Sequence, residues 1–206
     1  MDSRRKIVFL ALNLTRRDPR IFFRFGLSLV ENNFSVDFIV GDGGKSEIVE
    51  GVNIVGLNRR SRINFIAFIY CQCDMFRIVL RKRPKVVHIS EPHIILLGIY
   101  LKLKGSNVIF DLREDYIGEI TQRSIVPKYA SSLLVRLATQ LLRNSLNFFD
   151  IVLVPDARLS GLHNLFKDRE APVTISNFPV YREFELTRED YINRKPLILY
   201  LGSVYK

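Results

Sequence analysis

Short, β-branched apolar runs alternate with longer stretches of helical period along almost the whole chain. This alternation constrains the fold more than any other feature. Residues 6–12 (KIVFLAL), 35–40 (SVDFIV), 52–57 (VNIVGL), 85–90 (KVVHIS), 107–112 (NVIFDL), 150–155 (DIVLVP) and 173–177 (VTISN) read as strands. Continuous apolar runs of this length suit strands covered on both faces. Helices are predicted between them, at about 19–32, 63–82, 92–105, 128–148 and 156–167. Asp18 is placed to cap the first of these, with Pro19 at its first position. Ile66, Ile69, Cys73, Phe76 and Leu80 form an apolar stripe on the second. Leu134, Leu137, Leu141 and Phe148 do the same on the fourth, opposite Arg136, Gln140, Arg143 and Asn147. Both are expected to be core helices with solvated basic ends. The order predicts an α/β fold, a Rossmann-like doubly wound and mostly parallel sheet.

In such a sheet, ligands bind beyond the carboxyl ends of the strands. Here those ends are residues 13–20, 41–45, 89–93, 112–119 and 155–158. The loop after the first strand, NLTRRDPR, contains no glycine, which excludes a dinucleotide fingerprint. GDGGKSE lacks the phosphate-loop spacing and reads as a turn. His88, His93 and His163 have no metal-ligand spacing, and no serine sits in a nucleophile elbow. What remains is polar density at the strand ends. Arg16, Arg17 and Arg20 lie near a helix start that can hold a phosphate or a sugar carboxylate. Glu91 and His93 follow the fourth strand, and Arg113, Glu114 and Asp115 follow the fifth. Carboxylates and a histidine on neighbouring loops can orient acceptor hydroxyls and take a proton. Helix capping and surface solvation account for the same residues equally simply: Ser90 and Glu91 beside Pro92, and Asp111 bonded to a backbone group.

The stretch DPRIFFRFGLSLVENNFSVDFIV resembles the segment after the first strand of family 4 glycosyltransferases with the GT-B fold. RPKVVHISEPHIILLGIYLKLKGSNVIFDLREDY is similar to their acidic strand end, its helix and the next strand. FDIVLVPDARLSGLHNLF, VTISNFP and LILYLGS follow in the family's order. The resemblance implies an N-terminal acceptor-binding domain over residues 1–177, a linker over 178–196, and the first strand of a donor-binding domain over 197–206. It implies retaining transfer from a nucleotide-diphosphate sugar to a glycan or lipid-linked acceptor, as in cell-surface polysaccharide synthesis, with no metal or cofactor. Carried over residue by residue, it makes Glu91, Arg113 and Glu114 the catalytic candidates. Arg17, Asp18, Arg20, His93 and Asp115 become the substrate-binding candidates. Many members carry histidine at the position of Arg113, and a Gly-Gly turn where this chain has LTRRDPR. The donor-side Arg/Lys pair and E-x7-E element are not found, so a missing C-terminal half or a partner chain is expected. Whether the isolated chain is an enzyme is left open.

A net charge of +10 permits anionic partners. The alternative to a transferase half is therefore a basic binding module for nucleic acid or an anionic membrane surface. The cations are scattered and not interleaved with exposed aromatics, so no specific nucleic acid is expected. The basic, apolar-rich segments 59–83 and 123–148 suit peripheral contact with an anionic membrane. Cys71 and Cys73, in C-x-C spacing, are expected to be reduced, which suits a cytoplasmic location.

Overall fold

The computed structural model describes residues 5–58, 65–114, 116, 128–156, 166 and 171–178. Among the described residues, eight strands form one sheet in the order β3-β4-β2-β1-β5-β6-β7-β8. They are β1 (Lys6–Ala11), β2 (Ser35–Val40), β3 (Glu47–Val49), β4 (Val52–Gly56), β5 (Val86–Ile89), β6 (Asn107–Asp111), β7 (Ile151–Val154) and β8 (Val173–Thr174). All neighbours pair in parallel except β3 and β4. The helices are α1 (Leu27–Glu31), α2 (Phe65–Lys82), α3 (Ile95–Leu103) and α4 (Lys128–Phe148). This is the α/β, Rossmann-like architecture that the alternating pattern predicts.

Alternation along each strand builds two cores. Val8 and Leu10 of β1 join Ile39, Val87, Ile89, Val108, Phe110 and Val152 in one. That core is closed by Cys71, Met75 and Val79 of α2, by Leu97 and Leu101 of α3, and by Leu142 and Leu146 of α4. Phe9 and Ala11 face the other way with Val36, Phe38, Val40, Val52 and Ile54, under Ile21 and Phe22. Lys82 at the end of α2 reaches Asp37 of β2 at 2.7 Å, and Lys6 reaches the same oxygen at 2.9 Å. Burial pushes the Asp37 carboxyl up, but the two ammonium groups and Asn53 bring it below the usual carboxylate range.

Two local features differ from the sequence reading. Residues 47–49 form an edge strand instead of loop, because Glu50 and Gly51 both adopt positive φ (48° and 83°) between Val49 and Val52. That is the backbone of a two-residue type I′ hairpin turn, whose signal is the Glu-Gly pair. The helix expected from Pro19 does start there, but Pro19–Gly26 is wound as a π-helix before α1 continues it. The Leu27 N–H donates to Phe22 O, five residues back. Gly26 suits the wide turn, since a Cβ there would lie 3.1 Å from Ile21 O.

A larger correction concerns the helix faces. The stripe expected to face the core of α2 is largely exposed: Ile66, Ile69, Cys73 and Phe76 point outward. Ala67, Cys71, Met75 and Val79, at four-residue spacing, are buried in its place. In α4, Leu137, Leu141 and Phe148 are exposed, and Leu142 and Leu146 take the core. Both helices are apolar on two faces, and the sheet selects the face with smaller or better-fitting side chains. The helix expected near 156–167, the linker 178–196 and the strand within 197–206 lie outside the described residues, apart from Asp156, Phe166 and Phe178.

At the carboxyl edge, the turns after β1 and β2 meet closely. A Cβ on Gly41 would lie 2.7 Å from the Leu12 carbonyl oxygen. Substituting Gly41→Ala must therefore separate two backbones that nothing flexible cushions. The expected loss of stability is about 1–3 kcal/mol, read from urea unfolding.

Candidate functional site

β1 lies between β2 and β5, and the chain order reverses between β1 and β5. The crevice beyond these two carboxyl ends is the topological switch point. Glu91 sits across it. Its two oxygens accept from the backbone N–H groups of Leu12 (2.5 Å) and Asn13 (2.8 Å). The side chain is almost fully buried, so the β1 turn and the β5 turn are clamped by charge-assisted bonds. His93 Nε2 approaches Glu91 Oε2 at 3.2 Å. The amide nitrogen of Asn13 lies 3.4 Å from the same Nε2, so this ring nitrogen faces both a carboxylate oxygen and an N–H donor. The Phe68 ring stands edge-on to His93 at 5.1 Å, and Gln72 donates to the His93 carbonyl. Both oxygens of Glu91 are thus taken up by backbone, and His93 keeps about a quarter of its side chain exposed.

Beside it lies a buried ionic knot. Arg20, only 2 % exposed, donates two parallel bonds to Asp111, from Nε at 2.7 Å and from its second terminal nitrogen at 2.8 Å. The remaining terminal nitrogen donates to Ile175 O and Asn177 Oδ1, each at 2.7 Å. The guanidinium lies over the Phe25 ring at 5.0 Å. Burial pushes the Asp111 carboxyl up, but His88 and Arg20 outweigh it and hold the group below the usual carboxylate range. His88 Nε2 is 3.8 Å from Asp111, too far for a hydrogen bond, and has no hydrogen-bond partner among the described residues. The His88 ring packs against Phe9 and Phe25.

Asp18 links the knot to the next loop. One of its oxygens caps the π-helix through the N–H groups of Arg20 (3.0 Å) and Ile21 (2.9 Å). The other accepts from Arg113 at 3.1 Å. The second terminal nitrogen of Arg113 is buried without an acceptor among the described residues. A buried donor left in this state is a place for an oxygen from outside the fold. Tyr116 closes the same loop by donating to Ser90 O at 2.8 Å. Burial, with Glu114 nearby, pushes its phenol up.

Not every candidate ends in the crevice with free atoms. Glu91 and Asp18 are committed to backbone and to Arg113, and Arg20 to Asp111 and the 175–177 segment. Arg16, grouped in sequence with Arg17 and Arg20, forks onto Asp42 at 2.6 and 2.9 Å and also meets Glu47 and Lys45 O. Its guanidinium lies against Gly44, where a Cβ would be 1.4 Å from it. Among the three arginines, Arg17 is the exposed one, and Glu114 is exposed as well. Asp115 lies outside the described residues. A cavity of about 380 Å³ opens between the turns, lined by Asn13, Thr15, Arg16 and Asp42 with Leu12 and Leu14. Asn13 has no recognisable pattern around it in the sequence, and Asp111 and Asn177 lie within the DLREDY and VTISNFP stretches without being singled out there as site residues. Among the described residues, no three His, Cys, Asp or Glu side chains form a metal-ligand cluster.

No protein-family model matches the sequence, and no curated protein matches it. Solved structures do match in shape. Sucrose-phosphate synthase from Thermosynechococcus elongatus superposes with a TM-score of 0.53 at 13% identity, over 84% of this chain and 47% of that one. UGT73P12 from Glycyrrhiza uralensis, complexed with glycyrrhetinic acid 3-O-monoglucuronide, gives 0.51 at 9% identity, over 86% and 49%. The architecture is therefore the Rossmann-like fold found in GT-B glycosyltransferases. The chain spans about half the length of these two structures.

The knot sets a testable pH dependence. Asp111→Asn leaves Arg20 buried beside a neutral group, and the expected cost at pH 7 is about 3–5 kcal/mol. Because the folded carboxyl titrates below its unfolded value, this contribution is present above about pH 4 and is lost as pH falls further. Denaturant unfolding of both proteins at descending pH should show their stabilities converging in acid.

Proposed function

We propose that this chain is the acceptor-binding half of a GT-B-type glycosyltransferase, acting on a glycan or lipid-linked acceptor with a nucleotide-diphosphate sugar as donor. The observation that carries the reading is the Glu91–His93 pair, oriented at the switch point, with the Arg113 donor on the neighbouring loop. Family 4 membership and a role in polysaccharide synthesis belong to this proposal, supported by the collinear motifs. The donor is held by a second GT-B domain, whether on the same polypeptide or on another.

In this reading an acceptor hydroxyl donates to His93 Nδ1, and the free Arg113 N–H steadies a neighbouring acceptor oxygen. The hydroxyl oxygen bonds to the anomeric carbon as the bond from that carbon to the diphosphate breaks. The electron pair leaves with the diphosphate, and the hydroxyl proton passes to His93. Glu91 lies beside Nε2 and holds the ring in place for that step. Asp18 holds Arg113 in place. Arg17 and Glu114, exposed at the rim, contact the outer sugar residues.

Isothermal titration tests this with octyl glycosides, below their micellar concentration, as short acceptor mimics. Saturable binding is expected, weakened about tenfold by His93→Ala and by Arg113→Met. UDP-glucose and GDP-mannose are expected to give no saturable heat with this chain. Tight nucleotide-sugar binding without glycoside binding would falsify the assignment to the acceptor side.

A further inference from the structure

The outward stripes of α2 and α4 are not isolated side chains. They belong to a layer with α3, which lies against the same core and contributes Leu96 and Leu103, 69% and 71% exposed. These two leucines are seven residues apart, two helical turns, and point the same way. α4 adds Leu133, Leu137 and Leu141 at four-residue spacing, all exposed, with Phe148 on the same side. α2 adds Ile66, Ile69 and Phe76.

Charge is segregated on the same layer. The sequences of α2, α3 and α4 contain one carboxylate, Asp74, against seven lysines and arginines, of which Lys82 is paired with Asp37 and Lys102 with Asp150. Asp74 is itself paired with Arg77. Asp18, Asp42, Glu91, Asp111 and Glu114 all lie in or beside the strand-end loops instead. A groove between α2 and α3 joins the two properties. Its middle is a cavity of about 410 Å³ lined by Cys73, Phe76, Arg77, Leu96 and Tyr100. Its foot is a cavity of about 560 Å³ lined by Arg83, Lys85, Lys104 and Tyr100, without a carboxylate. Helix C-termini attract cations on their own account. That attraction does not explain the exposed leucines above them.

We infer that the outer surface of α2, α3 and α4 docks on an anionic phospholipid bilayer. The leucine and isoleucine side chains enter the acyl boundary, and the basic foot of the groove receives phosphate headgroups. Nucleic acid is the other polyanion for a chain of this charge, but its binders present aromatic stacking platforms between cations. The stripes on α3 and α4 are mostly aliphatic. The docking surface stands independently of sugar transfer, so either reading can fail alone.

Cys73 is exposed within the groove and Cys71 is buried, so an environment-sensitive dye reports on this face selectively. The labelled full chain is mixed with vesicles of phosphatidylcholine alone, or of phosphatidylcholine and phosphatidylglycerol in equal parts. Co-sedimentation with the anionic vesicles and a blue shift of the dye are expected, both diminishing with salt. Arg83→Gln with Lys104→Gln should weaken partitioning about 25-fold, at roughly fivefold per cation. Leu96→Ser with Leu103→Ser should weaken it at least about tenfold. Circular dichroism checks that these exposed variants fold, and the lipid and salt comparisons on the unsubstituted chain stand without them. Failure to sediment, sedimentation without a dye shift, equal binding to neutral vesicles, or preference for duplex DNA over anionic vesicles would each overturn the inference.

Discussion

The Arg20–Asp111 pair is the interaction on which the carboxyl edge of the sheet depends. Two formal charges are taken almost wholly out of water, which costs several kcal/mol per ion unless each remaining donor and acceptor is met. Here the guanidinium supplies bonds to a β6 carboxylate, to the backbone beyond β8 and to Asn177, while an aromatic ring covers its face. One side chain therefore holds the start of the π-helix, the end of β6 and the 175–177 segment in a common frame. Asp18 can then cap the π-helix and orient Arg113, and the crevice acquires a defined shape.

That frame explains the division of labour among the polar residues. Groups that look reactive in isolation, such as Glu91, Asp18 and Arg16, have their atoms taken by backbone or by counter-ions. The side chains left with unused chemistry are the ones these groups hold. His93 lies against Glu91, and Arg113 is held by Asp18 with one nitrogen left without an acceptor among the described residues. Preorganisation of this kind places the costly desolvation in the fold and leaves little reorganisation for the ligand.

The architecture was legible because parallel strands buried on both faces leave long apolar runs, and six of the eight strands announce themselves so, whereas β8 is two exposed residues. β3 escaped because its three residues, Glu47 to Val49, are mostly exposed, and only the Glu50–Gly51 turn betrays the hairpin. Asp18 as a cap was legible from spacing alone. The partners of Arg20 were not, since Asp111 is 91 positions away and Asn177 is 157. The faces of α2 and α4 were misread for a different reason. Periodicity identifies an apolar stripe, but where a helix has two, nothing local says which one meets the sheet. The clamp by Glu91 was equally invisible, because the N–H groups that donate to it are 79 and 78 positions away.

Arg20 and Arg24 both bind Asn177, which follows the last strand at the same edge as the crevice. The path of any mechanical load follows from this. Tension on the chain beyond residue 178 does not run first into β8, which is two residues long and shares few bonds with β7. It runs through Asn177 into two arginines, and from Arg20 into Asp111 and the capped turn at Asp18. Asn177, the start of the π-helix and Arg113 are thereby tied into one connected set of bonds at the edge of the sheet.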